Sequence, residues 1–285
     1  MNIFFAVNDD YVKYLLVALL SILKNNVEEK IHFYIISKDI TEESKNKIGL
    51  LRKIYSNFEI KYLVPGMSLF KDLKLNIEYI TIETYFRYII ADLVPDISKC
   101  LYLDADIVVN GKLKDFYDTD IENFYCAGVE DLFINGICYK KEIGFTDDDL
   151  YVNAGVLLLN LENIRKDNMI SKLFYNNLQL KDKITYQDQD VINITFKNKI
   201  LEANSIYNFT GTNVRREKNK RKSAVIIHYT GERKPWMNNC RNKMKFLWRY
   251  YNGLVDTLIY GRKATNTNLL FHKLYSCLWT TYWNL

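Results

Sequence analysis

Apolar positions along the first hundred residues switch between two rhythms. Ile3-Phe4-Phe5-Ala6-Val7 is an unbroken apolar run that stops at Asn8-Asp9-Asp10, which predicts a short buried strand. From Tyr11 to Leu23, Tyr11, Leu15, Ala18, Leu19 and Ile22 share one side of a helix. Ile31 to Ile36 predicts a second strand, and Thr41 caps a helix opening at Glu42-Glu43-Ser44. Phe58 to Val64 predicts a third strand, ended by Pro65-Gly66. Tyr85 to Ala91 reads as helical, stopping near Pro95, and Leu101 to Leu103 as a fourth strand. This alternation predicts an α/β fold with a mostly parallel central sheet covered by helices. Ligands of such sheets bind beyond the carboxyl ends of strands. Asn8-Asp9-Asp10 and Asp104-Ala105-Asp106 both fall at such ends, so they are predicted to share one rim.

Farther along, Tyr125 to Val129 and Gly155 to Leu159 predict two more strands. Between them Gly136 to Tyr151 is polar and acidic, an excursion expected to pass over the site. Leu161 to Tyr175 returns to helical spacing, with Asn160 as its cap. The apolar run Ala224 to Ile227 puts His228 at a strand end. Asp147-Asp148-Asp149 reads as a solvated loop. The basic run Arg215 to Lys222 is either a surface loop or a contact for phosphate or an anionic surface. The chain lacks a GxGxxG turn, a Walker glycine loop and a GxSxG elbow, which weakens hydride transfer, P-loop ATP hydrolysis and serine hydrolysis as functions.

Composition adds three points. With 285 residues, 48% hydrophobic, 3 prolines and 11 glycines, the chain can bury a large core. Its 5 cysteines are scattered without a CxxC pair, which favours free thiols in a reducing compartment. The N-terminus opens on a strand-like run rather than a signal peptide, and no apolar run reaches the roughly 18 residues of a spanning helix. A cytoplasmic location is therefore expected, and the sequons at Asn193 and Asn208 carry no weight. Charge is uneven: Arg241 to Leu285 holds seven Lys or Arg against one acid, a net +6, while the remainder sums to −1.

Asp104 and Asp106 point the same way in an extended chain, with only Ala105 between them. Two oxygen ligands side by side suit Mg2+ or Mn2+ and leave positions open for a diphosphate. A solvated turn is the alternative. The apolar frame favours the metal, because two buried like charges are costly unless something positive joins them.

Five segments occur in order: Thr84-Tyr85-Phe86-Arg87-Tyr88, Leu101-Tyr102-Leu103-Asp104-Ala105-Asp106, Asn153-Ala154-Gly155-Val156-Leu157-Leu158-Leu159-Asn160, Tyr186-Gln187-Asp188-Gln189-Asp190, and Ile227-His228-Tyr229-Thr230-Gly231-Glu232-Arg233-Lys234-Pro235-Trp236. Together they resemble glycosyltransferase family 8, especially bacterial lipooligosaccharide and lipopolysaccharide galactosyl- and glucosyltransferases. The resemblance implies a GT-A nucleotide-sugar-binding fold over residues 1–240, a UDP-glucose or UDP-galactose donor, Mn2+ with Mg2+ as the alternative ion, and transfer with retention. It implies Asp104, Asp106 and His228 as metal ligands and Lys234, near Gly231, as the diphosphate-binding lysine. Arg87 resembles the arginine that reaches donor sugar or phosphate; a helix-surface salt bridge is its plainer reading. Asn153, Ala154, Asp188 and Gln189 resemble the residues around the donor sugar, and Ala105 lies with the metal pair. A turn before a strand, and a helix cap made by Asp188 or Asp190, are the plainer readings there. At the nucleoside end Ala6 matches, whereas Asn8 and Asp10 have their polar types swapped relative to the family pattern. Tyr11 either stacks on the base or is the first core residue of its helix. Asp131 resembles an acceptor-site position, and Asn76 to Thr81 matches the acceptor-facing stretch in part.

Retention allows two routes. A covalent route needs a nucleophile beneath the sugar, for which Gln189 stands in position and Asp188 has the better chemistry; front-face attack uses the departing phosphate as base and is favoured here. The acceptor implied is a hydroxyl of a lipopolysaccharide or lipooligosaccharide core. Rival readings are transfer to another surface glycan or glycoprotein, a nucleotidyltransferase, and a non-catalytic, membrane-associated UDP-sugar-binding protein. The tail, 241–285, carries ten aromatics among its basic residues. It is expected to be mainly helical and to attach peripherally to the anionic inner face of the cytoplasmic membrane rather than to nucleic acid. A helical cap packed on the body is the plainer reading.

Overall fold

The computed structural model describes residues 1–262. Among the described residues nine strands form two sheets. They are β1 (Asn2–Ala6), β2 (Ile31–Ile36), β3 (Phe58–Leu63), β4 (Lys99–Leu103), β5 (Ile107–Val109), β6 (Cys126–Glu130), β7 (Val152–Asn160), β8 (Ile200–Glu202) and β9 (Ile226–His228). The main sheet has the order β3-β2-β1-β4-β7-β6-β8, and β5 pairs with β9 in a small ribbon. Parallel pairing runs from β3 through β2 and β1 to β4, and again between β6 and β8. β7 is antiparallel to both neighbours, so the sheet is mostly parallel with one reversed central strand.

The helices are α1 (Val12–Asn25), α2 (Glu42–Gly49), α3 (Ile90–Leu93), α4 (Lys114–Tyr117), α5 (Leu132–Gly136), α6 (Leu161–Lys166), α7 (Met169–Leu180), α8 (Gln187–Thr195), α9 (Gly211–Arg216) and α10 (Lys245–Tyr260). Strand side chains alternate between faces, and the core follows. Ile3, Phe5, Phe33 and Leu101 face α1 and α10, while Phe4, Tyr34, Tyr102 and Leu157 face α6, α7 and α8. Thr41 caps α2 by accepting from the Ser44 amide at 3.2 Å. The Asp9 carboxylate in turn accepts from Thr41 N at 2.9 Å and its hydroxyl at 3.0 Å, which fixes the loop after β1.

Three expectations are corrected, and one plainer reading, the turn at Asn153-Ala154-Gly155, is set aside. Residues Ile82–Ile89 form 3-10 turns before α3 rather than one α-helix. The helix expected from Leu161 to Tyr175 is broken, because Asn168 takes a left-handed φ of 52° between α6 and α7. Asn153-Ala154-Gly155 lies inside β7, not in a turn before it. The excursion 136–151 contributes nothing to the cavity lining; it packs behind it, where Tyr139 and Tyr151 both donate to Asp190 at 2.6 Å.

The first part of the tail belongs to the body. In α10, Leu247, Trp248, Tyr251 and Val255 are buried in the α1 side of the core. Asn25 on α1 donates to the Tyr251 hydroxyl at 2.8 Å, and the Tyr229 hydroxyl donates to Met244 O at 2.9 Å. The segment expected to begin at residue 241 as an appendage is thus, up to Tyr260, part of the packed domain. Residues 263–285 lie outside the described residues, and with them most of the expected membrane contact. Among the described residues no helix is long and apolar enough to cross a membrane.

Leu247 is fully buried. Leu247→Ala is therefore expected to destabilise the whole domain by about 2–5 kcal/mol in urea unfolding; an unchanged midpoint would show that α10 is not part of the cooperative core.

Candidate active site

A cavity of about 700 Å³ opens beyond the carboxyl ends of β1 and β4. Its floor is set by three strand contacts. The Asp104 amide donates to Gly155 O at 2.8 Å, joining the end of β4 to β7. The ribbon register pairs Ile107 with His228, and the Tyr229 amide donates to Asp106 O at 3.0 Å. Residues more than a hundred positions apart are thereby brought onto one point.

Asp104, Asp106 and His228 offer ligand atoms that all lie within 4.8 Å of one another. His228 Nε2 is 3.7 Å from Asp104 Oδ2 and 3.3 Å from Asp106 Oδ1. The tautomer follows from the neighbours. Gly155 N can only donate, and it donates to Asn153 Oδ1 at 3.1 Å, so that atom is an acceptor. Asn208 Nδ2 donates to the same oxygen at 3.0 Å. Asn208 Oδ1 therefore faces His228 Nδ1 at 2.9 Å, and Nδ1 must carry the hydrogen. Nε2 is left bare toward the aspartates, as a metal-ligating imidazole requires. Two carboxylates and a bare imidazole nitrogen suit Mn2+ or Mg2+, with Mn2+ favoured by the nitrogen.

Gly155 makes the cluster sterically feasible. A Cβ there would stand 2.3 Å from His228 Cε1 and 2.4 Å from Asp104 Oδ2. Lys234 Nζ contacts Asp106 Oδ2 and donates to Tyr229 O at 3.1 Å. Burial pushes the Asp106 carboxyl up, but the Lys234 ammonium against its Oδ2 outweighs it and holds the group well below the usual carboxylate range. Gly231, with φ of +80°, turns the loop that carries Lys234. Trp236 anchors the far end of that loop by stacking on Tyr14 at 3.7 Å between ring centroids.

Arg87 is buried rather than on a helix surface. Its Nη2 is 3.0 Å from Asp104 Oδ1 and its Nε 3.1 Å from Asp188 Oδ2, and it also donates to Thr84 O and Ala154 O. Burial lowers its pKa, yet the two carboxylates more than reverse the effect, so the guanidinium stays charged. Thr84 donates to Asp188 at 2.6 Å, and the Tyr102 hydroxyl donates to Asp104 at 2.8 Å. Gln189 Oε1 accepts from Asn153 Nδ2 at 3.0 Å and Ala154 N at 3.1 Å; its Nε2 donates to Asp131 at 3.2 Å and to the Tyr151 hydroxyl at 3.3 Å. Asp190, inside α8, receives the Thr185 and Tyr186 amides, so of the two expected candidates it is the one that satisfies the backbone leading into the helix, although it is not the N-cap itself.

Of the sequence-predicted residues, Ala6, Asn8, Tyr11, Arg87, Asp104, Ala105, Asp106, Asn153, Ala154, Asp188, Gln189, His228, Gly231 and Lys234 line this cavity. Asp131 lines it too, and its Oδ1 caps α5 through the Phe133 amide at 3.0 Å. Asp10 does not: it is exposed on the 3-10 turn after β1 and lies outside the lining, because that turn directs it to solvent. Within the expected acceptor stretch, Ile77, Tyr79, Ile80 and Thr81 face the cavity, whereas Asn76 donates to Ile184 O at 2.8 Å. The basic run splits: Arg215 lines the cavity, while Lys220 pairs with Glu217. Asn208, Tyr102, Thr84 and Tyr151 were given no role from the sequence; Tyr102 and Thr84 stand inside the quoted segments beside Asp104 and Arg87, whereas nothing in the sequence ties Asn208 or Tyr151 to the site.

The comparisons agree with this geometry. The family model for glycosyl transferase family 8 matches residues 2–240. A protein of Haemophilus influenzae assigned as a glycosyltransferase is 35% identical over 254 residues, covering 84% of this chain and 74% of its own. Glycosyltransferase GlyA of Streptococcus pneumoniae is 31% identical over 256 residues, 88% of this chain, which spans about a third (34%) of that longer protein. The crystal structure of the galactosyltransferase LgtC with donor and acceptor sugar analogs superposes with a TM-score of 0.81 at 32% identity, covering 89% of this chain and 96% of that one. The mostly parallel sheet, its reversed β7 and the clustered Asp104, Asp106 and His228 therefore sit in a GT-A fold, and the chain belongs to glycosyl transferase family 8.

Proposed function

We propose that this protein transfers a hexose, glucose or galactose, from a UDP-sugar to a hydroxyl of a lipopolysaccharide or lipooligosaccharide core, with retention of anomeric configuration. The carrying observation is the convergence of Asp104, Asp106 and a tautomerically fixed His228 beside Lys234 on one cavity wall. Support for the acceptor comes from the lipopolysaccharide 1,2-glucosyltransferase of Escherichia coli, 28% identical over 250 residues.

Asp104, Asp106 and His228 would hold Mn2+, or Mg2+ in its place. Bound there, the ion supplies positive charge to the diphosphate. Lys234 adds a second charge on the loop side, and together these favour UDP as leaving group. Ala6, Asn8 and Tyr11 border the nucleoside end. Arg87 works inward: it holds Asp104 and Asp188 in place instead of reaching for the donor. Asn153, Ala154 and Gln189 present a fixed polar surface to the sugar.

Neither candidate nucleophile is free. Gln189 has both ends of its amide engaged, and Asp188 is held by Arg87 and Thr84. This supports front-face attack. The bond from the anomeric carbon to phosphate breaks, a bond to the acceptor oxygen forms on the same face, and the hydroxyl proton passes to the departing phosphate. We further propose that residues 263–285, rich in Trp and Tyr with Lys263 and Lys273, attach the enzyme peripherally to an anionic membrane on the cytoplasmic side.

UDP release from UDP-glucose or UDP-galactose is expected to require added Mn2+ and to vanish on chelation. Turnover of UTP with a hexose phosphate instead would identify a nucleotidyltransferase, and no turnover of either kind would leave a binding protein. Gly155→Ala should lower metal-dependent UDP release at least a hundredfold while the protein stays folded by circular dichroism; wild-type activity in that variant would break the link between the cluster and the reaction.

Burial pushes the Asp188 carboxyl up to about 6, against the pull of Arg87 and Thr84 and with a push from Asp104. A carboxyl raised in the folded state binds its proton more tightly there than in the unfolded chain. Stability from this group is therefore present at low pH and lost as pH rises from about 4 to about 6. The melting temperature of Asp188→Asn minus that of wild type should increase across that window, and a difference that stays level or falls would contradict the assignment.

Vesicles of anionic lipid should sediment the full chain but not a chain ending at Arg262; equal sedimentation of both would remove the tail from membrane attachment.

A further inference from the structure

One carboxylate on the cavity wall takes no part in the network described above. Glu83 is 3% exposed and lines the cavity, yet neither of its oxygens accepts a hydrogen bond. Lys38 Nζ lies 3.3 Å from Oε1 as an ion pair, and its own side chain is partly in solvent. Both oxygens are enclosed, and buried carboxylate oxygens without a hydrogen-bond donor are costly and rare, so a group of this kind in a cavity wall points to a ligand that reaches and completes it.

Its place in the fold says which part of a ligand that is. Lys38 follows β2, whose end adjoins the end of β1: the Val7 amide donates to Ile36 O at 3.1 Å and the Asp9 amide to Asp39 at 3.2 Å. Glu83 is thus on the β2 side of β1. The cluster of Asp104, Asp106 and His228 lies on the opposite side of β1, at the end of β4, two strands over from β2. The sugar-facing amides of Asn153, in β7 itself, and of Gln189, bonded to it, lie farther on, on the side of β4 away from β1. A nucleotide sugar with its diphosphate at the cluster directs its sugar toward β7 and its nucleoside toward Glu83.

The hydrogen-bonding groups at that end are specific. Asn8 Oδ1 already accepts from the Tyr11 amide at 3.1 Å, which turns one of its lone pairs away from the cavity and leaves its N–H groups as the side chain's unused donors. Those suit a base carbonyl but not a ring N–H. Among the other cavity carboxylates, Asp104 and Asp106 form the metal cluster, Asp131 and Asp188 are bonded, and Glu232 pairs with Arg233 at 3.4 Å. Resting on the nucleotide-sugar reading above, we propose that Glu83 is a base-specificity residue whose carboxylate accepts the hydrogen bond of a ring imide N–H. It would select uracil over cytosine, whose corresponding ring nitrogen is itself an acceptor.

Calorimetric titration in the presence of Mn2+ tests this. The wild-type protein should bind UDP about tenfold or more tightly than N3-methyl-UDP, which lacks the donor, and than CDP. In Glu83→Ala the ratio of UDP to N3-methyl-UDP affinity should fall close to one. Glu83→Gln, whose amide can donate, should narrow the gap between UDP and CDP. Wild-type protein that binds N3-methyl-UDP as tightly as UDP overturns the proposal without any variant. So does a variant that keeps that ratio but loses discrimination between UDP and 2′-deoxy-UDP, which would assign Glu83 to the ribose. Failure of the wild type to bind UDP, CDP or GDP at all would overturn the nucleotide-sugar reading itself, and this proposal with it.

Discussion

Neutralising carboxylates drawn out of water is the constraint on which this site rests. Asp104, Asp106 and Asp188 crowd the ends of β4 and α8, and like charges so placed cannot all ionise unless cations are held among them. The fold supplies two from outside the metal position. Arg87 spans Asp104 and Asp188, and Lys234 meets Asp106. Each cation comes from a different part of the chain, so the charges are balanced only when β4, the 82–89 turns, α8 and the Lys234 loop are assembled together. The site is therefore a product of tertiary packing, and its geometry is as stable as the domain.

That dependence explains what could be read in advance. The strands β1, β2 and β4 announced themselves because each is a largely buried apolar run, β3 by its alternation of apolar and charged residues, and the Asp104-Ala105-Asp106 pair because two acids so close are conspicuous in such surroundings. Reading α10 as an appendage failed for a physical reason. Aromatic and basic residues mixed at helical spacing suit a lipid surface and a protein surface equally well, and only the partner, here α1, decides between them. The break at Asn168 was hidden because a single left-handed residue leaves the apolar period on either side intact. Reversal of β7 was hidden as well: a strand buried on both faces has the same composition in either direction.

Polar residues without charge were the least legible part of the site. Asn208 stands out in the sequence only as part of a sequon that says nothing of this role, yet it fixes which nitrogen of His228 is bare. Its two hydrogen bonds run in one sense, as do those of Asn153 beyond it. Donors pass from His228 Nδ1 to Asn208, from Asn208 to Asn153, and from Asn153 to Gln189 and Asp131. A chain of amides is reversible in principle, since each could turn over. The Gly155 amide, which can only donate, locks its sense at Asn153, and the Asp131 carboxylate, which accepts from both Asn153 and Gln189, locks it at the far end.

The two ends of the cavity thus differ in how their polar groups are satisfied. At the Asn153 and Gln189 end almost every donor and acceptor already has a protein partner, so the proposed hexose would be held by the lone pairs and hydrogens those groups have to spare. Such a surface favours orientation over affinity, which is what the proposed same-face attack needs. At the Glu83 end the protein leaves a buried acceptor unfilled, where a bound ligand gains most by filling it. A donor anchored through its base and diphosphate, with its sugar resting on a preformed amide lattice, combines tight holding at a distance with exact placement at the reacting carbon. In that arrangement binding free energy from the nucleotide is available to position the sugar, and the residues nearest the chemistry need not bind strongly at all.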